Sequence, residues 1–220
     1  MPLSFDDLIS RLSERLREPL PGASAHEPLR ATPTGTFKPS FNHKTPPKPG
    51  SVLILLYPYE GHILFPLTKR PEYAGAHSGQ VSLPGGKAEA GETAEQTALR
   101  EGEEEIGVRP SGVQVLGRLS DFFVIPSNFM VSPVVAWQPE RTLFTPDPVE
   151  VVRILEGTIE DLVREDAVKT REILAARTYP MIAPHFLIEE EIVWGATAMI
   201  LNEFRLIIRE ILQKSSPSPR

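Results

Sequence analysis

The stretch LPGGKAEAGETAEQTALREGEEEIGV, residues 83–108, restricts the fold of this chain more than any other. From position 93 to position 106 it lacks proline and is rich in Ala, Glu, Gln and Leu, which predicts a helix, with Gly107 as its C-cap. Steps of about 100° per residue place Glu104 at about −60° and Glu105 at about +40° from Glu101. Three carboxylates therefore share one face, while Glu103 points away. Leu99, Gly102 and Ile106 fall on an adjoining flank suited to docking on a sheet, which would hold the acidic face at a solvent-facing edge.

Like charges four residues apart cost a helix about 0.2–0.5 kcal/mol per pair, so the cluster needs something positive over it. A hard divalent cation such as Mg²⁺ or Mn²⁺ meets that need, because it takes oxygen ligands and shares them with waters and phosphate oxygens. Arg100, four residues before Glu104, is placed to orient a carboxylate. Ahead of the helix, Pro84, Gly85 and Gly86 allow a tight turn whose backbone a metal or phosphate can approach, and Lys87 offers a point charge there.

Around this element the chain alternates. Phe5, Leu8, Ile9, Leu12 and Leu16 recur at helical spacing, with Ser4 as N-cap and Pro19 as a stop. Eight prolines between Pro19 and Pro49, with few large apolar residues, predict an extended connector crossing the surface. Strands are expected at 52–57 and 62–68, turned by Pro58 and Gly61, and again at 113–119, 122–125, 129–137 and 149–155. Short helices are expected at 159–163 and 167–175, a strand pair within 186–194, and a longer helix over 196–212. The organisation is thus residues 1–49 as amphipathic helix and connector, 50–213 as the main domain, and 214–220 as a flexible tail. Strands mixed with helices in this order give an α+β fold, a sandwich built on a mixed sheet. The stripe Ile200, Leu201, Phe204, Ile207, Ile208 and Leu212, with Trp194, reads as internal packing or a homodimer face.

Composition removes several functions. Lys plus Arg number 23 against 29 Asp plus Glu, a net charge of −6, which argues against coating a nucleic-acid duplex. The longest uninterrupted apolar run, residues 52–57, falls far short of the roughly 20 residues of a membrane span. Without cysteine there are no disulfides, thiolate metal sites or thiol nucleophiles, as suits a reducing compartment. Asp6 and Asp7 stand where a secretory leader wants positive charge, so a cytoplasmic chain is expected.

Gly86, five residues, Glu92, seven residues, Arg100-Glu101, two residues, Glu104-Glu105, one residue, Gly107 and Val108 form one long pattern. A chance match to its seven fixed identities is on the order of 10⁻⁸ per starting point at average composition. The segment resembles the Nudix box, G-x5-E-x7-R-E-U-x-E-E-x-G-U, with U a bulky aliphatic residue; Gly102 departs from it where the family prefers an aliphatic side chain. The resemblance implies an α/β/α sandwich with a mixed sheet. It also implies hydrolysis of a nucleoside diphosphate linked to another group, with Mg²⁺ or Mn²⁺ required. Carried over by position, Glu101 and Glu105 are the principal metal ligands and Glu104 a further or water-mediated one. Glu101 is a candidate ligand or base, and so is a carboxylate from a later loop such as Glu150.

Upstream, PLTKRPEYAGAHSGQVSLPGG, residues 66–86, is similar to the motif preceding the box in coenzyme A pyrophosphatases, at Leu67, Thr68, Arg70, Gly79, Val81, Leu83, Pro84, Gly85 and Gly86. Pro66, Pro71 and Gly75 depart, Gly75 replacing an arginine. The stretch 192–201 also resembles that subfamily. The implied substrate is coenzyme A or its thioesters, giving 3′,5′-ADP and 4′-phosphopantetheine, with Lys69, Arg70 and Lys87 supplying cations to the pyrophosphate and His77, Ser78 and Gln80 polar groups beside them. ADP-ribose or another nucleotide is the alternative substrate, and a Nudix-fold nucleotide-sensing module without turnover the alternative class. The intact Glu101, Glu104 and Glu105 set argues against the last. Phe122, Phe123, Phe129 and Met130 are candidates for the lining of an adenine or pantetheine pocket, with core packing the commoner role for such residues on strands.

Overall fold

A computed structural model describes residues 4–34, 40–72, 78–175 and 178–215. Gly75 and His77 lie outside the described residues, as do positions 216–220 of the expected tail. Helix α1, Phe5–Arg15, starts on Ser4, whose hydroxyl accepts from the Asp7 N–H at 3.1 Å, and buries Leu8, Ile9 and Leu12. The connector differs from the expected extended crossing. Gly22 turns the chain into α2, Ala23–His26, and a 3₁₀ turn, and Ala25, His26 and Leu29 are buried. What holds it is polar chemistry that hydrophobic patterning does not register. The wholly buried Glu203 accepts from the Gly22 N–H at 2.8 Å and the Ser120 hydroxyl at 2.7 Å, and pairs with His26 Nε2 at 3.0 Å. Beyond it, β1, Thr32–Pro33, is a short edge strand.

The main sheet begins with β2, Lys48–Tyr59, and β3, His62–Lys69, followed by two short strands, β4, Val81–Ser82, and β5, Gly85–Lys87. Helix α3, Ala94–Ile106, comes next, then β6, Gln114–Arg118, β7, Phe122–Val124, β8, Phe129–Trp137, β9, Arg153–Thr158, and helix α4, Ile159–Val163. The strands join in the order β4-β3-β2-β8-β6, with β5 on β2, β7 on β8 and β9 on β3. Strand β2 runs parallel to β8 while the other pairings are antiparallel, so the sheet is mixed. Because side chains alternate across a strand, Leu53, Leu55 and Tyr57 of β2 pack with Ala98 and Ile106 of α3, whereas Ile54 and Leu56 face a second cluster with Leu8, Leu12 and Phe204. The result is the expected α/β/α sandwich, with α3 on one face of the main sheet.

The chain then forms β10, Lys169–Ala175, β11, Tyr179–Ile188, β12, Glu191–Trp194, and α5, Gly195–Ser215. Strands β1, β10, β11 and β12 make a second, antiparallel sheet. The helix expected over 167–175 is therefore a strand: the segment pairs along its length with β11, the next strand in the chain, from Lys169 opposite His185 to Ala175 opposite Tyr179, and this pairing overrides a local helical preference. The strand expected at 149–155 starts only at Arg153, because residues 147–151 close a turn. Ile200, Leu201, Phe204, Ile207 and Ile208 are buried within the chain, so this part of the α5 stripe is internal core, while Trp194 and Leu212 are half-buried. No helix among the described residues is long and apolar enough to cross a membrane.

Candidate active site

The site is assembled where β5 lies against β2 and α3 packs on both. Gly85 has φ +154°, and a Cβ there would stand 2.2 Å from the Ser51 carbonyl oxygen, so only glycine lets β5 approach β2 this closely. At Gly86 the space a Cβ would take holds the Glu101 carboxylate, 2.4 Å away. The double glycine thus seats a carboxylate directly on backbone. Helix α3 is started by a reciprocal cap: the Thr93 hydroxyl accepts from the Gln96 N–H at 3.3 Å and the Gln96 side chain accepts from the Thr93 N–H at 2.8 Å. Gly107, at φ +72°, ends it. Gly102 is buried, and a Cβ there would meet Leu53 Cδ2 at 2.9 Å, so the missing side chain is what lets the helix lie close to β2.

Arg100 organises the acidic face with all five of its N–H groups. Two go to the Glu92 carboxylate at 2.7 and 3.1 Å, one to Glu101 at 2.9 Å, one to Glu104 at 3.0 Å and one to the Lys87 carbonyl at 3.0 Å. The bond to Arg100 holds the Glu92 carboxyl down at about 2. Glu92 itself is fixed by the Thr97 hydroxyl at 2.9 Å and the Glu89 N–H at 2.8 Å. The loop before the helix, the helix and β5 are so bound through one guanidinium.

Glu105 departs from the expected solvent-facing edge: it is 3% exposed, accepts from the Gly85 N–H at 3.1 Å and has the Arg70 guanidinium 3.6 Å away. Helical angle gives a residue's direction but not its depth, and β5 covers this one. Burial pushes its carboxyl up to about 7, against the opposing pull of Arg70. Burial also raises Glu101, against its bond to Arg100, and the charge of Glu150 raises both. Glu104 is exposed, with a side chain 59% accessible.

A divalent cation fits this donor set. Two desolvated carboxylates with raised proton affinity lie side by side, and the cation nearest Glu105, at 3.6 Å, is too far for a hydrogen bond. Among the described residues no group of three or more His, Asp or Glu side chains is gathered so that it could hold a metal ion, so Glu101, Glu104 and Glu105 do not converge as a three-carboxylate set.

The structure brings Gly85, Gly86, Arg100, Glu101, Glu104 and Glu105 together, with Arg70 at the buried end. Lys87 contributes its carbonyl to Arg100 and leaves its side chain exposed. Lys69 points to the opposite side of the strand from Arg70 and pairs with Glu191 of β12. Glu92, a fixed position of the long sequence pattern, takes a role that the pattern alone does not assign: it anchors the Arg100 guanidinium. Of the four candidates for pocket lining, Phe123 and Met130 are 37% exposed, and Phe122 and Phe129 are half-buried.

Residues 47–185 match the family model described as the NUDIX domain. "Nudix hydrolase 22, chloroplastic" of Arabidopsis thaliana is 37% identical over 164 residues, covering 70% of this chain and 53% of that protein. "Nudix hydrolase 3" of Caenorhabditis elegans is 32% identical over 168 residues, covering 70% of each. The chain spans about half the length of the Arabidopsis relatives it matches. Among solved structures, the Nudix hydrolase RenU of M. smegmatis aligns with a TM-score of 0.49 at 16% identity, over 80% of this chain and 92% of that one.

Proposed function

The chain belongs to the Nudix domain family, and from that premise we propose that it is a divalent-metal-dependent pyrophosphohydrolase whose substrate is coenzyme A or a coenzyme A thioester. The observation that carries the reading is the pair Glu101 and Glu105, seated on Gly86 and Gly85, with Glu105 buried and the Arg70 guanidinium 3.6 Å from it. These two carboxylates would hold the ion, with exposed Glu104 as a further ligand. Mg²⁺ or Mn²⁺ there supplies neutralisation of the pyrophosphate charge and a bound water of lowered pKa. Arg100 fixes the Glu101 and Glu104 carboxylates, so the site is organised before substrate arrives. Glu101 or Glu150 accepts the proton of the attacking water. Gly86 and Lys87 offer backbone and charge to the phosphates, and Arg70 lies at the buried end of the same face.

The substrate rests on the likeness of residues 66–86 to the coenzyme A pyrophosphatase motif, in which Arg70 is a matching position beside Glu105. A chain without cysteine suits the reducing cytoplasm as its place of work. Product-resolved hydrolysis of coenzyme A, ADP-ribose, a diadenosine polyphosphate and NADH in Mg²⁺ or Mn²⁺ tests it. Release of 3′,5′-ADP from coenzyme A, lost in Glu101→Gln, is the expected result. Preferential cleavage of another compound moves the substrate while keeping the chemistry, and metal binding without turnover of any moves the chain to a sensing module.

A further inference from the structure

Helix α3 covers only part of the sheet face on which it lies. Leu53 and Leu55 of β2 and Val134 and Ala136 of β8 are under the helix. The same parity continues outward to Pro49 and Met130, which are register partners, and to Phe123, which lies opposite Met130. Phe122 and Val131, of the other parity, pack into the opposite core. Beyond α3 this face is open, and Phe123 and Met130 are exposed on it. Exposed apolar side chains are ordinarily scattered, but here a segment ahead of the Nudix domain adds to them. That segment is pinned by the buried Asn128, whose amide donates to the Thr45 and Pro46 carbonyls at 3.2 and 3.3 Å. His43 is thereby held against the end of β7: its Nε2 donates to the Ile125 carbonyl at 2.6 Å, and its ring meets Phe123 edge-on with centroids 6.4 Å apart. Phe41, 46% exposed, stacks on His43 with 12° between the ring planes.

This platform adjoins the candidate active site through β2. The Pro49 carbonyl accepts from the Ala88 N–H at 3.0 Å, and two positions on, Ser51 pairs with Gly86, on which Glu101 is seated. Strands β5 and β8 flank β2 here, so Gly86 and Met130 stand two strand spacings apart, about 10 Å, on one face. An open apolar surface with three rings beside a phosphate-binding turn suits a flat aromatic group carried on a phosphate, because every nucleobase offers a π-face to stack. We propose, on the reading of the chain as a nucleotide pyrophosphohydrolase, that Phe41, His43, Phe123 and Met130 seat the nucleobase of the substrate, with the phosphates running along β2 to Gly86 and Glu101. The base in question is the adenine that coenzyme A, ADP-ribose, diadenosine polyphosphates and NADH share. Two of its four contacts thus come from residues ahead of the domain.

Titration of the full chain with AMP in Mg²⁺, followed by calorimetry and by the methyl resonance of Met130, tests the seat without turnover. In the unaltered chain the ring current of adenine moves that methyl resonance. Ribose 5-phosphate, which has the same sugar and phosphate but no base, leaves it in place. Phe123→Ala weakens AMP binding about tenfold, the loss of one stacked ring, and Phe41→Ala and His43→Ala weaken it about three- to tenfold. Phe123→Tyr, which keeps the ring, stays within about twofold of the unaltered chain. With any nucleotide that is cleaved, the alanine variants raise KM more than they lower kcat, as loss of binding common to ground and transition states requires. Should Phe123→Ala melt early, Phe41→Ala removes a ring from a segment outside the domain and decides the comparison. A Met130 methyl that AMP leaves unmoved, AMP affinity unchanged in Phe41→Ala and Phe123→Ala, or no AMP binding by the unaltered chain would each overturn the proposal. Cleavage of a nucleotide with unchanged KM in these variants overturns the seat and leaves the hydrolase reading standing. AMP binding at the seat in a chain that cleaves none of the four compounds overturns the hydrolase reading and leaves the seat standing.

Discussion

Gly86 and Gly102 show how much of this site depends on side chains that are missing. A methyl group at Gly86 would occupy the position of the Glu101 carboxylate, so Gly86→Ala is expected to lower turnover at least tenfold by displacing that group, with the melting temperature changed little; steady-state kinetics beside a melt checks both. Gly102 stands where the family pattern prefers an aliphatic residue, yet Leu53 fills that space. Gly102→Leu is therefore expected to destabilise the fold by about 1–3 kcal/mol in denaturant melts despite its better helix propensity, because overpacking outweighs the roughly 1 kcal/mol gained. The direction of Glu101, Glu104 and Glu105 was legible in the sequence because one helix carries all three at fixed angles. The depth of Glu105 was not, since it depends on β5 folding over the helix, and the five-bond role of Arg100 was legible only in its contact with Glu104.

At the scale of elements, α3 owes its register to its ends. The Thr93 box fixes the first turn and Gly107 the last, while two carbonyls of the final turn are taken up by residues 145 and 147. Thr93→Ala is expected to cost about 1 kcal/mol, read as a shifted urea midpoint with an unchanged slope. Most elements announced themselves: α1, α3, α5 and strands β2, β3 and β8 follow from periodicity, caps and apolar runs. Strand β10 did not, because its residues Lys169 to Glu172 carry no apolar alternation and become strand only by pairing with β11. The buried turn at residues 23–29 was hidden for a related reason: it is held by Glu203, some 180 positions away in sequence, and local composition carries no trace of such a partner.

For the molecule as a whole, the sandwich gains its stability from two apolar clusters either side of β2 while keeping a costly charge at Glu105. The folded carboxyl titrates at about 7 against 4.5 for an ordinary glutamate. Between those values the native state binds more protons than the unfolded one, so this group's contribution to stability falls as pH rises through the window and is constant above it. In metal-free protein Glu105→Gln is accordingly expected to raise stability at pH 8 by about 1–3 kcal/mol and to change it little at pH 4.5, a comparison open to thermal melts in EDTA. A cation held by the charged form reverses the sign for the unaltered chain, so its gain in melting temperature from Mg²⁺ should be larger at pH 8 than at pH 5.5.

The most direct measurement is Mg²⁺-dependent cleavage of the pyrophosphate bond by Glu105→Gln beside the unaltered chain, each with its melt at pH 8. A variant that is folded, more stable without metal and slower by orders of magnitude at saturating Mg²⁺ is what the cation-site account requires. Turnover near that of the unaltered chain at the same Mg²⁺ concentration would contradict it.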